Sequence, residues 1–243
     1  FGSRQFSRLM SSRIGKRCLH LPLHMPAFGR LQRAPRAPSG GQAGPDLKAF
    51  AAFFDRYKDG GEDAILAEGI QRLCTDLGIS TLDPVTLVIA HRCRAAQMGI
   101  FTREEFITGM TALGCDSVEK LRGRLGELRA VLGDVAAGKE IYCYTFQFAL
   151  DQGQRCLPRD TCIELWKLLL SGHFALLDQW IAFAQERAKE MIPQDTWAML
   201  WDFSVEVSSD LSNYDPDSAW PVLLDEFVEY VRANPKAGAL AAV

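Results

Sequence analysis

Between Asp195 and Glu229 the chain carries nine acidic side chains (Asp195, Asp202, Glu206, Asp210, Asp215, Asp217, Asp225, Glu226 and Glu229) and not one lysine or arginine. Carboxylates at this density have four uses: to hold a hard cation, to move protons, to cap helices or to meet a basic partner. Proton transfer between a general acid and a general base needs two carboxylates in one cleft with separated pKa values, and no spacing here marks such a pair. Capping accounts for two or three of the nine. Asp195 follows Pro193 in the first turn of one helix, and Asp217 or Ser218 is placed to cap the next, whose start is expected near Ser218. A solvated helical face usually mixes signs, because opposite charges at i and i+4 each add a few tenths of a kcal/mol. A segment without a cation forgoes that gain. Its remaining acids read as a negative surface for a basic partner, where charge sets orientation and on-rate more than affinity.

The cation reading is tested by two loops with the outline of a calcium site. In "RAAQMGIFTREEF", setting Gly99 at loop position 6 puts Phe101 at 8 and Glu105 at 12, but Arg94, Ala96 and Met98 occupy the ligand positions 1, 3 and 5. In "DRYKDGGEDAIL", Asp55, Asp59 and Gly60 fall at 1, 5 and 6, yet Tyr57 stands at 3 and Leu66 at 12, where a bidentate carboxylate is required. Neither loop has the oxygens for calcium. What remains is the scaffold of helix, tight turn, short extended step (Ile65-Leu66 and Ile100-Phe101) and second helix. Two such units side by side would pair their steps as a two-rung ladder. Their helices would then either open an apolar groove or close as a core, and the pattern does not choose.

Other chemistry finds no foothold. The sequence contains no nucleophile elbow, phosphate loop, dinucleotide fingerprint or zincin motif. Its seven cysteines (Cys18, Cys74, Cys93, Cys115, Cys143, Cys156 and Cys162) never form a C-x-x-C pair and sit mostly in apolar helical patterns, as reduced core residues do. Among the four histidines only His91 lies near a cysteine, Cys93, which is not a ligand set. No metal, no cofactor and no catalytic residue is expected.

The elements that must position the acids are helices. From Leu47 the apolar residues recur at helical spacing in segment after segment, broken by Gly, Pro, Asp or Ser, and Leu224, Phe227, Val228 and Val231 mark the buried stripe of the last one. With 48% apolar residues in 243, the chain can bury a substantial core, and no apolar run approaches the ~18 residues of a membrane helix. Residues 1–45 are different in kind. They hold eight basic side chains and no acid, leaving 19 basic against 30 acidic in the rest, a balance that should repel nucleic acid. Residues 1–44 are expected to be a disordered basic tail, with a transit peptide as the alternative, and 233–243 a disordered C-terminal tail.

"SNYDPDSAWPVLLDEFVEYVR", with "IPQDTWAMLWDFS" and "FTREEFITGMTALGCDSVEKLR", resembles the PONY (potentiating neddylation) domain of the defective-in-cullin-neddylation proteins, over roughly Pro45 to Arg232. The resemblance implies one all-α PONY domain, 45–232, made of two EF-hand-like helical lobes without calcium ligands. It implies a scaffold-type co-ligase, not an enzyme, in the cytoplasm and nucleus. Its partners would be a cullin C-terminal domain, the neddylation conjugating enzyme with its acetylated N-terminus and, indirectly, the ubiquitin-like modifier, with neither nucleic acid nor membrane involved. The family's cullin patch falls on Asp195, Ala219 and Asp225. Its apolar pocket for the acetylated N-terminal Met falls on Ile70, Thr86, Ile89, Ala90, Met98, Phe101, Phe148 and Leu168, with Thr86 more polar and Ala67 smaller than the branched residues common there. Acetylation removes the terminal charge and so lowers the cost of burying that end. Without the resemblance, the residues read as an EF-hand-derived helical adaptor for some other basic protein.

Overall fold

The computed structural model describes residues 47–234, so the expected tail 1–44, with Cys18, His20 and His24, and the residues after Asn234 lie outside the described residues. Ten α-helices and two short ladders make up the described chain. The first half is α1 (Leu47–Tyr57), β1 (Ala64–Ile65) and α2 (Ala67–Leu77), then α3 (Val85–Arg92), β2 (Phe101–Thr102) and α4 (Arg103–Leu113). Next come α5 (Val118–Ala130), a 3-10 turn (Val131–Gly133) and α6 (Val135–Ala149). The second half repeats the plan with β3 (Cys156–Pro158), α7 (Arg159–Leu169), α8 (Leu177–Arg187), β4 (Met191–Pro193) and α9 (Gln194–Glu206), and α10 (Val222–Ala233) closes the chain. The fold is all-α, and among the described residues no helix is long and apolar enough to cross a membrane.

The ladders hold each half together. β1 and β2 run antiparallel with Ala64 opposite Thr102 and Ile65 opposite Phe101, one residue from the expected steps on either strand. Leu66 is diverted from pairing because its N–H donates to the Asp59 carboxylate at 2.7 Å, opening α2. Ile100 falls outside because Thr102 must complete β2 and begin α4. There its hydroxyl accepts from the Glu105 amide while the Glu105 carboxylate accepts from the Thr102 amide, a capping box. In the second half Leu157 faces Ile192 at the centre of a three-rung ladder.

Packing between helices is set by small residues and by one aromatic knot. A Cβ on Gly109 would lie 2.5 Å from the Cys93 Cα, so α4 can cross the end of α3 only with glycine there. In the second half Tyr142 of α6 stacks on Trp197 of α9, ring centroids 4.4 Å apart. Its hydroxyl donates to the Trp197 carbonyl at 2.9 Å and accepts from the Trp166 indole of α7 at 3.0 Å, and the Trp197 indole donates back to the Tyr142 carbonyl. All three rings are fully buried, so each polar atom finds its partner inside the core, and three helices are fixed by one residue. The six described cysteines are unpaired, four of them buried.

Helix α10 begins later than the sequence suggests. Its first residue is Val222 and its N-cap Pro221, with no side-chain cap from Asp217 or Ser218. A residue before proline is disfavoured in the helical region, which works against a helix running through Ser218 to Trp220, and the Trp220 amide turns back to the Ser218 carbonyl at 2.9 Å instead. The Trp220 ring meets Phe203 of α9 edge to face, centroids 5.6 Å apart, before the helix starts.

Candidate functional site

The acid segment is built on α9, α10 and the connection between them. Asp195 is the second residue of α9, exposed, where the unsatisfied amides of the first turn favour a negative charge. Asp225 occupies the first turn of α10 in the same way but is half-buried, and it accepts a hydrogen bond from the Tyr214 hydroxyl. Tyr214 is buried against Phe203, and the Arg232 guanidinium lies over its ring at 5.6 Å. Burial, and after it the bond to Asp225, pushes the Tyr214 phenol up to about 12, so it is a donor at every physiological pH. The Tyr214–Asp225 bond closes a loop of chain that presents Ala219, exposed, with nothing larger than a methyl group. Ala219 and Asp225 are therefore held by one device, and Asp195 is related to them through α9, whose Phe203 supports Tyr214, Trp220 and Phe227.

Several of the nine acids have local duties. Asp202 pairs with Lys139 of α6 at 2.5 Å, and among the described residues it is the one acid of the segment in an ion pair. Asp210 accepts from the Ser208 hydroxyl at 2.6 Å and the Ser212 amide at 3.0 Å, which hold its carboxyl down at about 2 and shape the turn after α9. Asp215 accepts from the Asp217 amide at 3.0 Å. Asp195, Glu206, Asp217, Glu226 and Glu229 are exposed and form no ion pair among the described residues. The surface is thus negative by more than its capping needs.

The two calcium-like loops carry their own substitutes for an ion. Arg103, from the second loop, reaches into the first and bridges Asp55 and Asp63, positions 1 and 9, each at 2.7 Å. It holds both carboxyls below the usual range, its hydrogen bond being the main cause. In the second loop Glu105, the position-12 carboxylate, spends one oxygen on the Ala96 amide at 2.9 Å and the other on Thr102 at 2.8 Å. A guanidinium and two amides close turns that calcium would otherwise close. No cluster of three His, Cys, Asp or Glu suited to a metal occurs among the described residues.

Of the eight expected pocket positions, all but Thr86 belong to one hydrophobic core or pack against it. Ile70, Ile89, Ala90, Met98, Phe101 and Phe148 are buried, and Thr86 and Leu168 are half-buried. The Met98 amide donates to the Phe148 carbonyl at 3.1 Å, and the Tyr144 hydroxyl donates to the Ala95 carbonyl at 2.7 Å while its ring stacks on Phe148. These contacts seat the loop before β2 on the end of α6. Thr86 donates its hydroxyl to the Asp83 carbonyl at 2.8 Å, so its polarity is satisfied within the chain. Ile70 on α2 and Leu168 on α7 join the same core from its two halves.

Comparison with known proteins decides the family. A family described as cullin binding matches residues 120–230, the span from α5 to α10. DCN1-like protein 5 of Mus musculus is 38% identical over 206 residues, 85% of this chain and 86% of its own length. The chain belongs to the DCN1-like family. DCN1-like protein 4 of Drosophila melanogaster is 40% identical over 186 residues, covering 76% of this chain and 75% of its own. Defective in cullin neddylation protein 1 of Yarrowia lipolytica is 36% identical over 192 residues, covering 77% and 79%. For this DCN1-like chain the PONY domain inferred from the C-terminal signature is the domain observed. Sequence reasoning missed Tyr214, because a tyrosine eleven residues from its carboxylate partner signals nothing until the intervening loop is known to close.

Proposed function

We propose that the chain is a non-catalytic co-ligase of cullin neddylation, which holds a cullin C-terminal domain and the conjugating enzyme together while the modifier passes from that enzyme's thioester to a cullin lysine. Membership of the DCN1-like family supports the reading, and the observation that carries it is the acid-rich surface, built from a segment without lysine or arginine, on which Asp195 and Ala219 are exposed and Asp225 is held by Tyr214. A basic face of the cullin docks there, Ala219 leaving room for a partner side chain between carboxylates. The acetylated N-terminal Met of the conjugating enzyme inserts among Ile70, Thr86, Ile89, Ala90, Met98, Phe101, Phe148 and Leu168, acetylation having removed the charge that would oppose burial. Bond making and breaking belong to the conjugating enzyme. The scaffold supplies orientation and raises the effective concentration of thioester next to lysine.

Reconstituted transfer of the modifier to a cullin C-terminal domain, timed with and without this chain, tests the proposal. Acceleration is expected with an N-acetylated conjugating enzyme and much less with the unacetylated form. Equal rates with and without the chain would rule the function out. Acceleration indifferent to acetylation would remove the pocket while leaving the cullin face.

A further inference from the structure

Opposite the buried stripe of Leu224, Phe227 and Val228, α10 carries Val222, Asp225, Glu226 and Glu229 at i, i+3, i+4 and i+7, all exposed except half-buried Asp225. Val222 is 70% exposed, the most exposed large apolar side chain among the described residues. Scattered exposed valines are ordinary. This one is placed where neither folding nor helix formation wants it. The core does not use it, and the first turn of a helix favours acidic or capping residues over a β-branched one. It also follows directly in the chain on exposed Ala219 and half-buried Trp220 and Pro221, and precedes the acids of the same helix.

We propose that Val222 is the apolar anchor of the cullin-docking face. It sits one helical turn before Asp225, and the segment it receives carries a lysine or arginine with an apolar side chain about one turn away. The inference rests on the cullin reading above and specifies the chemistry of the partner at that same face. Continuity with Ala219 and Asp225 places the anchor, and the absence of cations from 195–229 sets the sign of the charge it accompanies. An acid-only face would attract any basic protein and let go in salt. An adjacent apolar contact survives screening and selects among basic partners.

The test measures affinity of the full chain for a cullin C-terminal domain at several salt concentrations, for wild type, Val222→Ser, Val222→Leu and Asp225→Asn. Serine is at home at a helix start, so thermal unfolding of Val222→Ser should match wild type. Its affinity is expected to fall about tenfold, equivalent to about 1.4 kcal/mol, with the dependence on salt unchanged. Val222→Leu should bind as wild type. Asp225→Asn should weaken binding and flatten the salt dependence. Wild-type affinity in Val222→Ser alongside weakened Asp225→Asn would overturn the anchor and leave the cullin reading intact. Wild-type affinity in both would overturn the cullin reading and the anchor with it.

Discussion

Tyr214→Phe isolates the device that holds the docking carboxylate. The substitution removes one hydroxyl and keeps the ring against Phe203 and under Arg232. A hydrogen bond to a charged group contributes roughly 1.5–3 kcal/mol. Asp225 is half-buried and water replaces part of the loss, so about 1 kcal/mol of unfolding free energy should disappear near neutral pH. The pH dependence has a definite sign. Because the Tyr214 phenol is raised to about 12, its stabilising effect is full below the ordinary tyrosine value of about 10 and is lost as pH climbs towards 12. The stability gap between wild type and Tyr214→Phe should therefore be constant through neutral pH and narrow across that alkaline window. Binding should also respond. Freeing one carboxylate rotamer costs roughly 0.5–1 kcal/mol on association, a twofold to fivefold weaker complex with the cullin C-terminal domain. Chemical denaturation gives the first quantity and titration calorimetry the second. In an Asp225→Asn background the effect on binding should largely vanish. A Tyr214→Phe protein that binds as tightly as wild type, or one equally weakened with and without the Asp225 carboxylate, would refute the reasoning.

Other substitutions probe the scaffold. Tyr142→Phe leaves the Trp166 indole without its acceptor in the core, which should cost about 1–3 kcal/mol and lower the melting temperature by on the order of 5 °C in a thermal scan. Arg103→Met keeps an apolar stem over Phe54 and removes the guanidinium from Asp55 and Asp63. Those carboxyls are held low in the folded chain, so the stability they lend is present above the ordinary carboxylate pKa of about 4 and lost as pH falls through their lower folded values. Denaturation at several pH values should show wild type ahead of Arg103→Met at neutral pH and the two converging in acid. Gly109→Ala forces a methyl into the Cα of Cys93 and should lower unfolding free energy by roughly 1–3 kcal/mol.

Much of this architecture is written in local signals. The failed loops announce themselves because calcium binding demands particular oxygens at particular positions, and Arg94, Met98 and Leu66 cannot supply them. What replaced the ion was not legible, since Arg103 and Asp55 stand 48 residues apart and meet only when the halves of the lobe fold together. The ladder of β3 and β4 was equally silent. Cys156-Leu157-Pro158 and Met191-Ile192-Pro193 are too short to show a strand period, and their pairing is a consequence of tertiary packing. Asp217 and Ser218 carried a misleading message, being read as the cap of a helix that in fact starts at Val222, after Pro221, which disfavours a helical residue before it. The acid segment was visible at once because charge is counted without a fold. Which acids were already engaged, Asp202 by Lys139 and Asp210 by Ser208, depended on contacts that composition does not contain.

The account turns on one surface, and charge reversal at its centre tests it. Affinity for a cullin C-terminal domain should be compared between wild type and Asp225→Lys at low and physiological salt, with unfolding followed in parallel. Losing a docked carboxylate and adding a repelling cation should cost about 2–5 kcal/mol, so binding should weaken by at least thirtyfold while the cooperative unfolding transition persists. Binding within a factor of two of wild type by a folded Asp225→Lys protein would contradict it.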